Sequence, residues 1–200
     1  MENSLAKPPA GAETPAKSPT VTLKKPKSTS GTRHLIEWIL LVGAALVIAL
    51  VIKTFLFQAF WIPSESMVPT LEKDDRVLVN KLSYKLHDVH RGDIVVFEAP
   101  ESESAIKDLV KRVVGLPGDT IEGKGGHIYI NGSALEEPYL PDGTVSKVFG
   151  PQKVPPGYYF MLGDNRQNSN DSTVFGPIPK SDFVGRAFVR FWPLNRFGFF

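Results

Sequence analysis

The stretch DLVKRVVGLPGD (108–119) decides the fold class. Its first part, LVKRVVGL (109–116), is a short run rich in Val and Leu, and Pro117, Gly118 and Asp119 follow it. β-branched residues favour strands, whereas Pro and Gly next to each other favour turns. The stretch therefore predicts a β-strand that ends in a tight turn.

Five further runs repeat this pattern along the chain. They are rich in Val, Ile, Tyr and Phe, and turn signals separate them, among them Asn131-Gly132, which suits a type I′ hairpin turn. The runs are DRVLVNKL (75–82), DIVVFEAP (93–100), HIYING (127–132), YYFMLG (158–163) and GRAFVRFW (185–192). Six short strands with little helical periodicity predict a mainly β domain, built as a sheet or a barrel-like structure.

A long apolar segment, LIEWILLVGAALVIALVIKTFLFQAFWI (35–62), precedes the strands. It contains an uncharged run of 15 residues, 38–52, with further apolar residues on both sides. A bilayer core requires roughly 20 apolar residues in a helix. We predict one transmembrane helix over 35–60 and hence contact with a lipid bilayer. A buried core helix and a cleavable signal peptide are the alternatives, but the first requires a large protein around it and the second is normally shorter.

The segment before the helix, residues 1–34, is rich in Pro, Ala, Ser, Thr and Lys, with six basic residues and two acidic ones. Such a composition cannot bury enough apolar surface to fold, so we predict a disordered basic tail. The positive-inside rule then places this tail in the cytoplasm and residues 61–200 on the far side of the membrane. The prediction is a single-pass protein of the plasma (inner) membrane with an extracytoplasmic β domain.

Composition limits the functions that this chain can have. Its 200 residues suffice for one domain with a core and some additional segments. The chain lacks cysteine, which excludes disulfides and thiolate metal sites. A net charge of +2 indicates no particular partner, and we expect neither nucleic acid nor a cofactor to bind.

The first segment with catalytic potential is IPSESMVPTL (62–71), where Ser64, Ser66, Thr70 and two prolines predict a rigid polar turn. A serine needs a base to become a nucleophile. A Ser-His-Asp triad is recognised by geometry rather than by spacing, so the sequence leaves it open. The histidines available are His34, His87, His90 and His127. His87 and His90 could also bind a metal together, although a solvated loop is the ordinary interpretation.

Lys111 is a second candidate base. It lies in the predicted strand 109–116, among Val and Leu residues. Burial disfavours the charged form of an amine, so the pKa of a lysine in such a strand falls and the neutral amine can accept a proton. The alternative is a lysine on an edge strand with its amine in water.

A third segment, MLGDNRQNSNDSTVFGPI (161–178), is dense in Asp, Asn, Arg and Ser between two apolar runs. A solvated loop is one interpretation. The other is a network of buried hydrogen bonds that positions other groups.

These segments, taken in order, resemble bacterial type I signal peptidases (leader peptidases). The resemblance covers about residues 35–195 and rests on the apolar anchor, the serine segment, GDIVVF, KRVVGLPGD and GDNRQNSNDS. It implies a largely antiparallel β domain that is catalytic, with one N-terminal transmembrane helix. It also implies that the chain is a membrane-bound serine endopeptidase that cleaves signal peptides from exported precursor proteins after small residues, and we expect it to act as a monomer.

The family pattern Ser-Gly-Ser-Met-x-Pro-Thr implies that Ser66 is the nucleophile. Ser64 would supply its hydroxyl to the oxyanion hole beside the backbone N–H of Ser66. Lys111 would be the general base, which takes the proton from Ser66, donates one to the leaving amine and activates the deacylating water. Ser169 matches the serine that orients the lysine.

The resemblance assigns further positions with less direct roles. Asp164, Arg166 and Asp171 match a structural polar network near the site. The apolar residues expected to line the substrate pockets are Ile62, Pro63, Met67, Leu71, Leu109 and Val110. The chain departs from the family pattern at Glu65, where relatives carry Gly, at Gln167, where many carry Asp, and at Thr173, where some carry Arg.

Three other functions remain open from the sequence. A related self-cleaving repressor would also use Ser and Lys, but no DNA-binding helix pair precedes the serine segment here. An organellar inner-membrane processing peptidase fits the basic tail equally well. A non-catalytic membrane protein of the same fold would be free to lose Ser66, Lys111 and Ser169, and this chain keeps all of them.

Overall fold

The computed structural model describes residues 31–103 and 107–200. The disordered tail was predicted over residues 1–34, of which residues 1–30 lie outside the described residues. Internal contacts divide the chain into two units, Met1–Val42 and Gly43–Phe200.

The first element, α1, runs from Gly31 to Val51. Its part Arg33–Val51 has a mean hydropathy of 2.4 and is long and apolar enough to cross a membrane. At 1.5 Å per residue the 21 residues of α1 extend about 31 Å, which is close to the thickness of a bilayer core. Residues 31–34 were predicted to belong to the tail and are helical instead. Adding residues to the end of a formed helix costs little free energy, because the unfavourable nucleation step has already occurred.

The end of the predicted helix also differs. A π-helical turn, Ile52–Leu56, follows α1, and strand β1 then covers Phe57–Trp61. Residues 57–60 were predicted to be helical because they continue the apolar segment 35–62. They form a strand because β1 pairs with β2 (Arg76–Asn80) along its whole length.

The larger sheet has eight strands and is antiparallel at every pairing. Besides β1 and β2, its strands are β3 (Ile94–Glu98), β4 (Asp108–Gly115), β9 (Tyr158–Leu162), β10 (Ile178–Pro179), β11 (Phe183–Trp192) and β12 (Gly198–Phe199). The strand order is β1-β2-β11-β3-β4-β9-β10, and β12 pairs with β11. The predicted mainly antiparallel β fold with one N-terminal apolar helix is confirmed.

A smaller sheet consists of β5 (Thr120–Lys124), β6 (His127–Ile130), β7 (Ser133–Ala134) and β8 (Phe149–Lys153). Its strand order is β7-β6-β5-β8. The predicted hairpin turn is present between β6 and β7, where Asn131 and Gly132 both have positive φ, 52° and 83°. This backbone geometry is the one that a type I′ turn requires. Two short α-helices, α2 (Ser83–Leu86) and α3 (Ser172–Phe175), lie between the strands. Among the described residues three 3-10 helices are also present, Glu101–Glu103, Lys180–Asp182 and Leu194–Arg196.

The core lies around the centre of the larger sheet. The apolar residues of β3 are buried along the strand, and the second half of β4 is buried without interruption. A cluster under the serine segment contains Ile62, Met67, Leu71, Val77, Val79, Ile94, Val96 and Ala187. Because β4 is a central strand, polar side chains placed on it are removed from water.

Candidate active site

The serine segment, residues 62–71, connects β1 to β2 as a compact turn. The side chains of Ile62, Met67 and Leu71 are buried in the core cluster. The Leu71 N–H donates to the Met67 carbonyl at 2.9 Å, which closes the turn. These apolar anchors fix the backbone and leave Ser66 half-buried at the surface.

Lys111 and Ser66 are in direct contact. Lys111 Nζ donates a hydrogen bond to Ser66 Oγ at 2.7 Å and another to the Val110 carbonyl at 3.2 Å. Lys111 is only 2% exposed because it lies in the central strand β4. Ser64 Oγ lies 3.3 Å from Ser66 Oγ. The two serines and a buried amine 45 positions after Ser66 therefore form one cluster.

This cluster opens into a cleft with an empty volume of about 460 Å³. Five of the six residues predicted to bind substrate line it, namely Ile62, Pro63, Met67, Leu109 and Val110. Three lining residues were not predicted: Phe60, Trp61 and Asp108. The sequence offered a signal for each of them. Asp108 begins the strand that carries Lys111, and Phe60 and Trp61 directly precede the serine segment.

Leu71 does not line the cleft, so its prediction as a substrate-binding residue is wrong. Its side chain has no exposed surface and packs in the core cluster with Val77 and Val79. The physical reason is the turn at residues 67–71, which directs the last apolar side chain of the segment into the protein.

Ser169 lies beside the cluster of Ser64, Ser66 and Lys111, but its Oγ is not hydrogen-bonded to Lys111. Its Oγ is buried and is the one buried side-chain polar atom without a partner in the described part of the chain. Gly163 lies between Ser169 and Ser66, since a Cβ at position 163 would be 2.2 Å from Ser169 Oγ and 2.4 Å from the Ser66 carbonyl oxygen. The backbone at Gly163 thus lets the two serines approach each other.

Asp164 connects three segments of the site. It accepts two hydrogen bonds from the guanidinium of Arg112, at 2.9 and 2.6 Å, and one from the hydroxyl of Thr70, at 2.5 Å. Arg112 and Asp164 are both buried. This pair therefore fixes the strand of Lys111 relative to the serine segment and to the polar segment 161–178.

Arg166 is held by a second buried ion pair. Both of its terminal nitrogens donate to the carboxylate of Glu137, at 2.8 and 2.7 Å, and one also donates to Ser146 Oγ. Its Nε donates to the Gly163 carbonyl at 3.0 Å. Burial would lower the pKa of Arg166, but the bonds and charge of Glu137 outweigh it and raise that pKa.

Tyr139 links the two ion pairs. The Arg112 guanidinium lies 3.9 Å from the centre of its ring, and its hydroxyl donates to Glu137 at 2.7 Å. Burial and the neighbouring carboxylate both raise the pKa of this phenol, so it remains a donor at neutral pH. Neither Tyr139 nor Glu137 was predicted, and no local pattern marks them.

Asp171 caps the short helix α3 and supports the Gly163 backbone. It accepts bonds from the Thr173 hydroxyl at 2.7 Å, from the Thr173 N–H at 3.2 Å and from the Gly163 N–H at 3.2 Å. Thr173 thus serves as an uncharged partner of this carboxylate. Gln167 is the other residue of this segment that differs from the family pattern, and its side chain donates to the Val145 carbonyl at 2.9 Å.

The histidines lie in other places. His87 and His90 line a separate opening together with Tyr84 and Lys180, and His127 begins strand β6. Among the described residues no group of three or more His, Asp and Glu could hold a metal ion. The chemistry that this geometry supports is that of a serine next to a buried amine.

Known proteins are similar to this chain over most of its length. The family model described as "Signal peptidase, peptidase S26" matches residues 35–192. Signal peptidase I of Leptolyngbya laminosa is 44% identical over 191 residues, which are 93% of this chain and 91% of that protein. Signal peptidase I of Bacillus caldolyticus is 40% identical over 168 residues, 78% and 90% of the two chains. A crystal structure of a signal peptidase I from Enterococcus faecalis is 32% identical and covers 50% of this chain and 96% of its own, with a TM-score of 0.43. Because the family match extends from the apolar segment to the end of β11, the resemblance predicted from the sequence is confirmed, and the chain belongs to the signal peptidase family, peptidase S26.

Proposed function

We propose that this protein is a membrane-anchored serine endopeptidase that removes signal peptides from exported precursor proteins, cutting after small residues. The observation that carries the proposal is the 2.7 Å hydrogen bond between Lys111 Nζ and Ser66 Oγ. Relatives that are 40–44% identical carry the name signal peptidase I, which supports precursors with signal peptides as the substrates.

In the proposed mechanism Ser66 is the nucleophile and Lys111 is the general base. Removal from water disfavours the charged form of an amine, so the 2% exposure of Lys111 supports this role. The amine takes the hydroxyl proton while Oγ attacks the scissile carbonyl carbon, and the resulting ammonium donates a proton to the leaving amine. The acyl-enzyme on Ser66 is then hydrolysed by a water molecule that Lys111 deprotonates, which restores the free serine.

The oxyanion that develops during attack requires donors. We assign this role to the backbone N–H of Ser66 and the hydroxyl of Ser64, which is 3.3 Å from Ser66 Oγ. Removal of one such donor typically lowers kcat by about 10²–10³.

We assign Ser169 to the orientation of Lys111. Its buried Oγ lies next to Gly163, as does the Ser66 carbonyl oxygen, and this position beside the Ser66–Lys111 pair supports the assignment. Asp164, Arg166 and Asp171 are proposed to be structural, since all three are buried. Asp164 and Arg166 are bonded to other segments, through Arg112 and Glu137, and Asp171 is bonded to the Gly163 N–H of its own segment.

The cleft beside Ser66 is proposed to bind the residues before the cut. Its mostly apolar lining and small size fit short apolar side chains, and the strand residues Leu109 and Val110 fit an extended peptide laid along β4. Ile62, Pro63 and Met67 would form the opposite wall.

We propose that α1 anchors the protein as its single membrane span. Its length and hydropathy support this assignment, and the basic tail before it supports a cytoplasmic N-terminus. The β domain would then be extracytoplasmic. Anchoring restricts enzyme and precursor to the same bilayer, which raises their effective concentration for each other. We expect the protein to act as a monomer.

Cleavage of a precursor protein in liposomes tests this proposal. The native chain should release the signal peptide after a small residue. Ser66→Ala and Lys111→Ala should each lower the rate by at least about 10³ and remain folded by circular dichroism, because each removes a group that takes part in bond making.

Matched controls use residues of the same type outside the cluster. Ser133→Ala and Lys107→Ala change exposed side chains and should cleave at the native rate. If Ser66→Ala and Lys111→Ala also cleave at the native rate, the assignment of the pair is wrong and the chain shares only the fold of its family.

A further inference from the structure

The peptide group between Glu65 and Ser66 has a special position in the proposed mechanism. Its N–H is the backbone donor of the oxyanion hole, and its carbonyl oxygen belongs to Glu65. Because a peptide group is planar and trans, the N–H and the C=O point in opposite directions. Any contact that fixes the Glu65 carbonyl therefore also fixes the direction of the Ser66 N–H.

Two donors make this contact, the backbone N–H of Val68 at 3.1 Å and the side chain of Asn165. The side-chain Nδ2 of Asn165 donates to the Glu65 carbonyl at 3.1 Å, and its backbone N–H donates to the Ser66 carbonyl at 3.1 Å. One residue thus bonds the carbonyls on both sides of the nucleophile's backbone. Asn165 is itself held in place, since the preceding Asp164 is paired with Arg112 in the interior.

We propose that Asn165 is a positioning residue that orients the backbone donor of the oxyanion hole, an inference that rests on the proposed role of Ser66. Its amide, together with the Val68 N–H, holds the plane of the Glu65–Ser66 peptide. It also polarises that peptide, since a hydrogen bond accepted by a carbonyl strengthens the N–H of the same group as a donor. Both effects act on the charge that develops in the transition state.

The expected consequence concerns kcat more than KM. The scissile carbonyl oxygen carries little extra charge in the bound substrate and much more in the transition state, so a misaligned donor weakens mainly the latter. Asn165→Ala should lower kcat by about tenfold. This loss is smaller than the one expected for removing a donor outright, because the Ser66 N–H itself remains.

The experiment compares Asn165→Ala and Asn165→Asp with the native chain on a peptide substrate that contains a signal-peptide cleavage site. Asn165→Ala keeps the backbone bond to Ser66, so the connection between the two segments survives. Asn165→Asp replaces the donor with an oxygen that faces the Glu65 carbonyl and should lose at least as much activity. Gln167→Ala is the matched control, because this side-chain amide in the same segment donates to Val145 and not to the serine segment.

A second measurement separates positioning from a general loss of structure. A peptide aldehyde adds to Ser66: Oγ bonds to the aldehyde carbon, the hydroxyl proton passes to Lys111, and the former carbonyl oxygen takes the negative charge and occupies the oxyanion hole. The matching peptide alcohol binds without this bond. Asn165→Ala should weaken the aldehyde about tenfold and leave the affinity for the alcohol unchanged.

The outcomes distinguish the two proposals. If Ser66→Ala is inert and Asn165→Ala retains the native kcat, the inference about Asn165 is wrong and the proposed function stands. Equal weakening of the aldehyde and the alcohol likewise overturns it, because that result indicates a distorted cleft. If Ser66→Ala remains active, the proposed function fails first.

Discussion

Gly163 lies so close to Ser66 that a Cβ atom at position 163 would be 2.4 Å from the Ser66 carbonyl oxygen. The same atom would be 2.2 Å from Ser169 Oγ. Both distances are far below van der Waals contact, and the Ser66 side of the clash is backbone that cannot rotate away. The close approach of the two serine-bearing segments therefore depends on the absence of a side chain here.

We expect Gly163→Ala to abolish most of the activity. The added methyl group must separate Ser66 from Ser169, and overpacking of this kind typically costs about 1–3 kcal/mol of stability. Cleavage rate and thermal unfolding measured on the same preparation test this, with at least a hundredfold loss of rate expected.

Gly150→Ala is the control for the Gly163 substitution. A Cβ at Gly150 would meet nothing within 4 Å, so this change should affect neither rate nor stability. Native activity of Gly163→Ala would mean that the two segments can separate without harm to the site.

The buried pair of Arg112 and Asp164 leads to a prediction about stability. Removing one partner of a buried ion pair leaves an uncompensated charge in the interior and typically costs about 3–5 kcal/mol. Asp164→Ala should therefore lower the free energy of unfolding by about this amount, as measured with urea. The double variant Arg112→Met with Asp164→Leu should lose less, because no isolated charge remains.

A surface pair provides the comparison for Asp164. Glu72 is paired with Arg196 and is more than half exposed, so Glu72→Gln should change stability by less than about 1 kcal/mol. A loss for Asp164→Ala as small as that for Glu72→Gln would contradict the importance of the buried pair.

The parts of the fold that were predicted from the sequence are those whose conformation depends on a few consecutive residues. The strand around Lys111 and the Asn131-Gly132 turn depend on residue type and immediate neighbours. Strand β8 was missed because FGPQK contains Gly and Pro, and β1 was missed because its residues continue the apolar segment 35–62. Both are strands because of partners elsewhere in the chain, β5 and β2.

In the candidate site, too, the residues in local motifs were predicted from the sequence, and the contacts between distant segments were not. Ser66 and Lys111 were identified through the family motif, and the structure brings them together across 45 positions of sequence. The pair of Arg166 and Glu137 was not predicted, because its members are 29 positions apart and lie in segments that resemble ordinary loops. The same holds for the stacking of Arg112 on Tyr139. Such contacts depend on tertiary packing and leave no periodic signal.

Asp119, in the turn after β4, should make stability depend on pH. Burial by itself would raise its pKa, but hydrogen bonds from the Leu116 N–H, from Arg91 and from Asn131 lower it below the usual value. A carboxyl whose pKa is depressed in the folded state adds stability above its unfolded pKa of about 4, and this contribution is lost as the pH falls through the folded value.

We therefore expect Asp119→Asn to lower the free energy of unfolding by about 1–2 kcal/mol at pH 7, with a difference that shrinks below about pH 4. Urea unfolding at several pH values measures this. The exposed Asp142→Asn should show no such trend. A deficit for Asp119→Asn that is constant from pH 7 to pH 3 would show that the carboxylate charge is not its source.

Leu109 gives a prediction about specificity. It lines the cleft beside Ser66 that is proposed to bind the residues before the cut, and it is half-buried, so its side chain should limit the room for the substrate residue there. Leu109→Ala should enlarge the cleft and allow Val as well as Ala at this substrate position, since one or two additional methyl groups in an apolar pocket are worth about 1–3 kcal/mol. The measurement is the ratio of kcat/KM for two precursors that differ in this residue, and we expect the Val/Ala ratio to rise at least tenfold.

Leu86→Ala is the control for the Leu109 substitution. It changes a leucine that is 70% exposed and outside the cleft, so it should leave the ratio unchanged. Equal ratios for Leu109→Ala and the native chain would place the limiting wall on the opposite side of the cleft, at Ile62, Pro63 or Met67.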